Sequence, residues 1–97
     1  MQLSSSDIQI VKDYFSGQPV IKAYLFGSYS RKQADADSDV DILVDLDYTK
    51  NIGLHFVQMQ ADLQQKLQKK IDLVSSKSVS KYLKPFIEKD KILIFKR

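Results

Sequence analysis

The chain has 97 residues, of which 43% are hydrophobic and 28% charged, and its net charge is +3. This size and composition predict one small globular domain spanning 1–97, and they exclude a largely disordered chain. The absence of cysteine excludes disulfides and thiolate zinc sites. No apolar run approaches the ~20 residues of a membrane span, so we expect a cytoplasmic protein.

The predicted elements alternate between helix and strand. Candidate N-cap residues Ser4 to Asp7 precede apolar positions at helical spacing, and Gly17 is a plausible end of that helix. Pro85 suits the first turn of a late helix. In chain order we predict a helix from the Ser4 cap to Gly17, a strand over 21–26, a short helix over 28–34, a polar connection over 35–38, a strand over 39–47, a loop over 48–53, a helix over 54–70, a strand over 71–75, a loop over 76–80, a helical turn over 80–83, a short helix over 85–90 and a strand over 92–95.

The strand over 39–47 has one apolar face and one acidic face. Because burying unpaired carboxylates is costly, we expect helices mainly on one face of a small mixed α/β sheet and the acids on its open face. In the helix over 54–70, two adjoining apolar stripes are visible. The first consists of Leu54, Val57 and Ala61, and the second of Phe56, Met59, Leu63 and Leu67.

Gly27-Ser28 and Asp39-Val40-Asp41, with ten residues between them, are the most informative motif. A Gly-Ser pair that follows an apolar run can open a helix whose free N–H groups attract phosphate. Two aspartates at positions i and i+2 of a strand point the same way, with Cα atoms ~6.6 Å apart. Both carboxylates can then reach one divalent cation or a close pair, which predicts phosphoryl-transfer chemistry.

These residues, together with Ile71-Asp72-Leu73-Val74, resemble the minimal nucleotidyltransferase domain of the DNA polymerase β-like superfamily. That family carries G-S-x10-D-x-D on a strand-helix-strand unit, and a third aspartate on the next core strand. The resemblance implies that Asp39, Asp41 and Asp72 are catalytic and ligate two Mg²⁺ ions, with Mn²⁺ as a substitute. It further implies that Gly27, Ser28 and Arg31 bind ATP or another nucleoside triphosphate. Lys32 departs from the pattern, since many members have glycine there.

The resemblance extends to antitoxins of two-gene HEPN/MNT systems. It implies an adenylyltransferase that moves AMP from ATP to a hydroxyl, on a tyrosine of a helical HEPN-type toxin. Two alternatives stay open: a catalytically weak binding module that occludes a partner, and a subunit that modifies a small molecule such as an aminoglycoside.

The residues outside this motif have simpler interpretations. The acidic side chains of Asp35, Asp37, Asp45 and Asp47 fit solvated or capping positions. Residues 51–97 carry ten basic and four acidic side chains. Such a half can steer a polyanion or an acidic partner, although a solvated lysine-rich surface explains it more simply. Direct nucleic-acid binding is left open.

Overall fold

The computed structural model describes residues 3–31, 33–35 and 38–97. Lys32 and Asp37, which the sequence analysis singled out, lie outside these residues. The elements are α1 (Ser5–Ser16), β1 (Val20–Phe26), β2 (Val40–Leu46), α2 (His55–Leu67), β3 (Ile71–Ser75), a single 3₁₀ turn (Ser76–Ser78), α3 (Lys84–Asp90) and β4 (Ile92–Lys96). No helix among them is long and apolar enough to cross a membrane.

The first helix begins at the predicted cap. Ser4 Oγ accepts a hydrogen bond from the Asp7 N–H at 3.0 Å, and the Asp7 carboxylate accepts one from the Ser4 N–H at 3.3 Å. This reciprocal capping box satisfies two N–H groups that an uncapped helix would leave without partners. Gly17 ends the helix as predicted.

The four strands form one mixed sheet in the order β3-β2-β1-β4. β1 pairs antiparallel with both β2 and β4, whereas β2 and β3 run parallel. A parallel pair needs a crossover connection, and α2 supplies it. The predicted fold class, a small mixed sheet with helices, is confirmed.

The two longer helices cover one face of the sheet. Val11 and Phe15 of α1 and Met59 and Leu63 of α2 are fully buried, in one cluster with the even-numbered side chains of β2. This cluster is the main core, and it decides which stripe of α2 faces inward. Leu54 and Val57 of the other predicted stripe are 87% and 64% exposed.

The third helix lies on the opposite face, together with the acidic side chains. Leu43 of β2 and Ile87 of α3 are both buried, but neither belongs to the main core cluster. They line a shared cavity of about 340 Å³. Lys91, which follows α3, places its ammonium 4.5 Å from the ring centroid of Tyr24. Tyr24 of β1 is the register partner of Leu43, so it lies on the same face of the sheet. The acidic face is therefore partly covered by α3.

The predicted short helix over 28–34 is wrong. The chain forms successive turns after β1, with the N–H groups of Ser30 and Arg31 donating to the Gly27 carbonyl at 3.1 and 3.2 Å. The Ser30 hydroxyl donates to the same carbonyl at 2.8 Å. Side-chain hydroxyls that bond to nearby carbonyls compete with helical hydrogen bonding. Burial of Tyr29 and Ser30 then fixes the turn against the rest of the protein.

Candidate active site

Asp41 and Asp72 are direct neighbours across the β2–β3 pair. Their Cα atoms are partners in the parallel register, so both side chains point to the same face of the sheet. Asp39 lies immediately before β2 and is half-buried. Its carboxylate is 3.9 Å from the ammonium of Lys70, a residue that precedes β3. The structure thus brings the three predicted aspartates to one end of two adjacent strands.

The pKa of Asp41 reflects its burial and its nearness to the carboxylates of Asp72 and Asp39. Burial first, and then the negative charges of Asp72 and Asp39, together raise the pKa of Asp41 to about 6. The positive charge of Arg31 acts the other way. A nearby cation would stabilise the negatively charged form of this carboxyl.

Gly27 makes close contact with this carboxyl possible. Its φ of +74° lies in the left-handed region, which glycine tolerates and other residues rarely adopt. A Cβ atom at this position would lie 2.2 Å from Asp41 Oδ2, which is an impossible contact. Phe26 and Asp41 are register partners on β1 and β2. The Gly27-Ser28 turn therefore begins directly beside Asp41, and Ser28 follows in a half-buried position.

Arg31 lies at the edge of the site and is held by α3. Its guanidinium forms an ion pair with the Asp90 carboxylate, and its Nε donates to Gln33 Oε1 at 3.1 Å. The ion pair between Arg31 and Asp90 joins residues 59 positions apart in the sequence. Sequence reasoning missed Asp90 for that reason, because no local pattern marks it. Arg31 itself was predicted, and its charge acts on Asp41.

The other acidic residues have structural contacts. Asp47 accepts hydrogen bonds from the N–H of Thr49 at 3.1 Å, the hydroxyl of Thr49 at 2.5 Å and the guanidinium of Arg97 at 2.8 Å. These hydrogen bonds lower the pKa of Asp47 to about 2. Asp47 thus bonds to the turn that follows β2 and pairs with Arg97, and it is buried instead of solvated. Asp35 exchanges hydrogen bonds with Ser38, which closes the turn before β2.

The donor set suits a hard divalent cation by chemistry and by placement. Within 3–31, 33–35 and 38–97, no three acidic, histidine or cysteine side chains converge into a ready-made metal-binding group. Mg²⁺, however, is commonly held by one or two carboxylates together with water and substrate phosphate oxygens. Carboxylates of Asp41 and Asp72 on one face, with Asp39 beside them, provide that kind of partial shell.

A comparison with known families identifies the chain. The profile of the family described as "Polymerase beta, Nucleotidyltransferase" matches residues 9–97. The chain belongs to this family. The prediction that it is a nucleotidyltransferase is therefore confirmed.

Individual relatives agree with this assignment. A Methanocaldococcus jannaschii protein, MJ1379, provisionally named a protein adenylyltransferase, is 32% identical over 88 residues, covering 89% of this chain and 85% of the relative. A toxin–antitoxin crystal structure with AMP-PNP has a TM-score of 0.75 and 23% identity, covering 97% of this chain and 75% of that one. A tri-AMPylated HEPN toxin of Shewanella oneidensis in complex with its MNT antitoxin gives a TM-score of 0.72 and 21% identity, with 98% and 74% covered. The two solved structures establish the shared fold.

Proposed function

We propose that this chain is a metal-dependent adenylyltransferase that transfers AMP from ATP to a tyrosine hydroxyl of a helical HEPN-type partner, and so acts as an antitoxin. The observation that carries the proposal is the register match of Asp41 with Asp72, beside the Gly27 turn. The names of similar proteins support the choice of nucleotide and partner, since they include a protein adenylyltransferase and an AMPylated HEPN toxin. The cytoplasm, where ATP is supplied, is the proposed location.

Each predicted site residue has a role in this reaction. Asp39, Asp41 and Asp72 would hold two Mg²⁺ ions, which neutralise charge on the α-phosphate and on the departing pyrophosphate. Asp72, the exposed member of the register pair, would orient the acceptor hydroxyl and accept its proton.

The turn after β1 would bind the triphosphate. Gly27 allows its backbone to approach the phosphates, Ser28 offers a hydroxyl and an N–H group, and Arg31 contributes a guanidinium. In the transfer, the acceptor oxygen bonds to the α-phosphorus while the bond from that phosphorus to the bridging oxygen breaks. Pyrophosphate leaves, and the hydroxyl proton passes to the carboxylate.

The direct test is to incubate the purified protein with Mg²⁺, α-labelled ATP and a candidate HEPN-type toxin from the same organism. We expect label on a tyrosine of that partner. Asp39→Ala, Asp41→Ala and Asp72→Ala should each lower transfer by at least about a hundredfold. Asp45→Ala, on the same face of β2 but outside the proposed site, is the matched control and should keep activity.

The alternatives give different results in the same assay. Tight association without label on the partner would support a binding module instead of a transferase. Label on an added aminoglycoside but on no protein would support small-molecule modification. Full transfer by the Asp41→Ala variant would refute the proposed site.

A further inference from the structure

Three large apolar side chains are exposed around the start of α3. Tyr82 is 75%, Leu83 57% and Phe86 68% exposed, and we call these three residues the α3 patch. The turn that carries them is well defined, because the N–H of Leu83 donates to both the hydroxyl and the carbonyl of Ser80 at 3.2 Å. A cluster of exposed aromatic and aliphatic side chains on an ordered turn is typical of an interaction surface.

Lysines surround the α3 patch. Lys81, Lys84 and Lys89 are exposed, and Lys81 places its ammonium 5.4 Å from the Tyr82 ring centroid. Within the described part of the chain, no carboxylate forms an ion pair with any of these three lysines. The rim of the patch is therefore positive.

The acidic residues of α3 do not neutralise this charge. Glu88 pairs with Lys91 at 2.9 Å, and Asp90 pairs with Arg31. Both carboxylates are thus already matched by cations other than the rim lysines. A partner with acidic side chains at matching positions would complete the rim.

The α3 patch lies on the helix whose other end reaches the candidate active site. Ile87, on the inner side of α3, is buried and lines a cavity together with Leu43 of the aspartate face. The last residue of α3, Asp90, pairs with Arg31 at the edge of the site. A protein bound to the outer side of α3 would therefore contact an element that reaches the edge of the site through Asp90.

We infer that the α3 patch is the docking surface for the acceptor-bearing protein, whose matching surface is an apolar groove flanked by aspartate and glutamate side chains. This inference rests on the proposed function, because it assumes that the acceptor belongs to a protein. An apolar centre with a charged rim is the usual anatomy of a protein–protein interface. Nucleic acid is a poorer match, because Tyr82, Leu83 and Phe86 form a compact apolar cluster instead of a cationic track along which phosphates could lie.

The test compares two double variants that each place two glutamates on exposed apolar positions. Leu83→Glu/Phe86→Glu changes the α3 patch, and Leu54→Glu/Val57→Glu changes the exposed stripe of α2, which serves as the matched control. Affinity for the HEPN-type toxin that accepts AMP in the transfer assay, or that binds this chain in it, is measured by titration calorimetry, and affinity for AMP-PNP with Mg²⁺ is measured in parallel. Circular dichroism establishes that both variants are folded.

We expect the α3 variant to lose affinity for the partner by roughly 30-fold or more, the size of an interface hot spot. Its affinity for AMP-PNP should stay within about twofold of wild type, and the α2 variant should resemble wild type in both measurements. Leu83→Ala/Phe86→Ala, which adds no charge, should weaken partner binding in the same direction. Reversal of the rim with Lys81→Glu/Lys84→Glu should weaken it further as salt is lowered.

Two results would overturn the inference without touching the proposed function. One is wild-type affinity for the partner in the α3 variant while AMP transfer persists, and the other is loss of affinity in the α2 variant alone. If the first of these results is accompanied by binding of the wild-type protein to anionic lipid vesicles or RNA through the patch, the patch serves that ligand instead of the partner. Failure of wild-type protein to transfer AMP despite binding the partner through α3 would refute the proposed function and leave the docking surface standing.

Discussion

Asp41 is the residue at which the proposed metal binding and the destabilising charge of the site coincide. Its carboxyl is half-buried, it neighbours Asp72 in the sheet register, and it lies against the backbone of Gly27. Burial is the largest obstacle to an isolated negative charge on Asp41, and the neighbouring charge of Asp72 adds to it. The same features favour a bound divalent cation, which would neutralise the charge that the fold holds there.

The first prediction concerns Asp41 and stability. Folding raises the pKa of this carboxyl from 3.8 to about 6, so its charged form destabilises the protein above pH 6. As the pH falls from 6 toward 3.8, the folded carboxyl becomes protonated and the cost shrinks; well below pH 3.8 the carboxyl is protonated in both folded and unfolded chains, and the cost disappears. Asp41→Asn should therefore raise the free energy of unfolding at pH 8 by about 1 kcal/mol, after allowance for solvent screening.

Urea denaturation of wild type and Asp41→Asn at pH 8 and pH 4, without metal, measures this difference. The gain should shrink toward zero at the lower pH. Asp45→Asn, four residues further along the same strand, controls for a general effect of removing acid. An Asp41→Asn variant no more stable than wild type at pH 8 would contradict the electrostatic account.

The second prediction concerns Gly27. Gly27→Ala forces a side chain into a left-handed backbone conformation and toward Asp41 Oδ2, so it should lower the free energy of unfolding by about 2 kcal/mol and abolish AMP transfer. Gly17→Ala is the matched control, because a Cβ atom there would meet nothing within 4 Å. Unfolding curves and transfer assays on both variants decide the matter. Equal behaviour of the two variants would mean that the Gly27 contact has no consequence.

Among the elements, α3 connects the candidate site to the outer surface. Its last residue, Asp90, pairs with Arg31, while Glu88 on the same helix pairs with Lys91. Under the proposed function, Asp90 would be a positioning residue that acts on the nucleotide through Arg31. Glu88, which pairs with Lys91, provides a comparison on the same helix.

The third prediction tests this positioning role. Asp90→Asn should weaken AMP-PNP binding by about three- to tenfold with little change in kcat, because Arg31 loses the charge that holds it. Glu88→Gln should leave nucleotide affinity unchanged. Calorimetric titration of AMP-PNP and steady-state transfer rates give the two readouts. Unchanged affinity in Asp90→Asn would show that α3 does not position Arg31.

The elements also show where sequence reasoning succeeds. The N-cap candidates of α1 and the alternation of β2 are local patterns, and the structure contains both a cap at Ser4 and the alternating strand. One wrong prediction and one choice that the sequence left open have tertiary causes. The segment after Gly27 forms turns because Tyr29 and Ser30 are buried, and the choice between the two stripes of α2 depends on which one meets the sheet.

In the whole molecule, the two faces of the sheet have different roles. One face carries the apolar core under α1 and α2, and the other carries the aspartates beside α3. The sequence predicted the first face from alternation, Asp39 and Asp41 from their spacing, and Asp72 from the resemblance to the nucleotidyltransferase family. It could not place α3 on the second face, because the packing of Ile87 near Leu43 and the pairing of Asp90 with Arg31 join segments far apart in the chain.

The charge distribution follows the same division. Residues 76–97 contain seven basic and two acidic side chains, whereas the aspartates of the candidate site come from elsewhere in the chain. An acidic site next to a basic surface allows the protein to attract a cation at one place and an acidic partner at the other. The two attractions are separable by mutation, as the α3 and aspartate variants would show.

Thermal unfolding with and without Mg²⁺ and AMP-PNP tests the central claim most directly. Ligand that binds only the folded state raises the melting temperature, so wild type and Asp45→Ala should gain about 5 °C or more at saturating ligand. Asp39→Ala, Asp41→Ala and Asp72→Ala should gain little or nothing under the same conditions. An unchanged melting temperature in wild type, or an equal rise in Asp41→Ala, would contradict a metal–nucleotide site on the aspartate face.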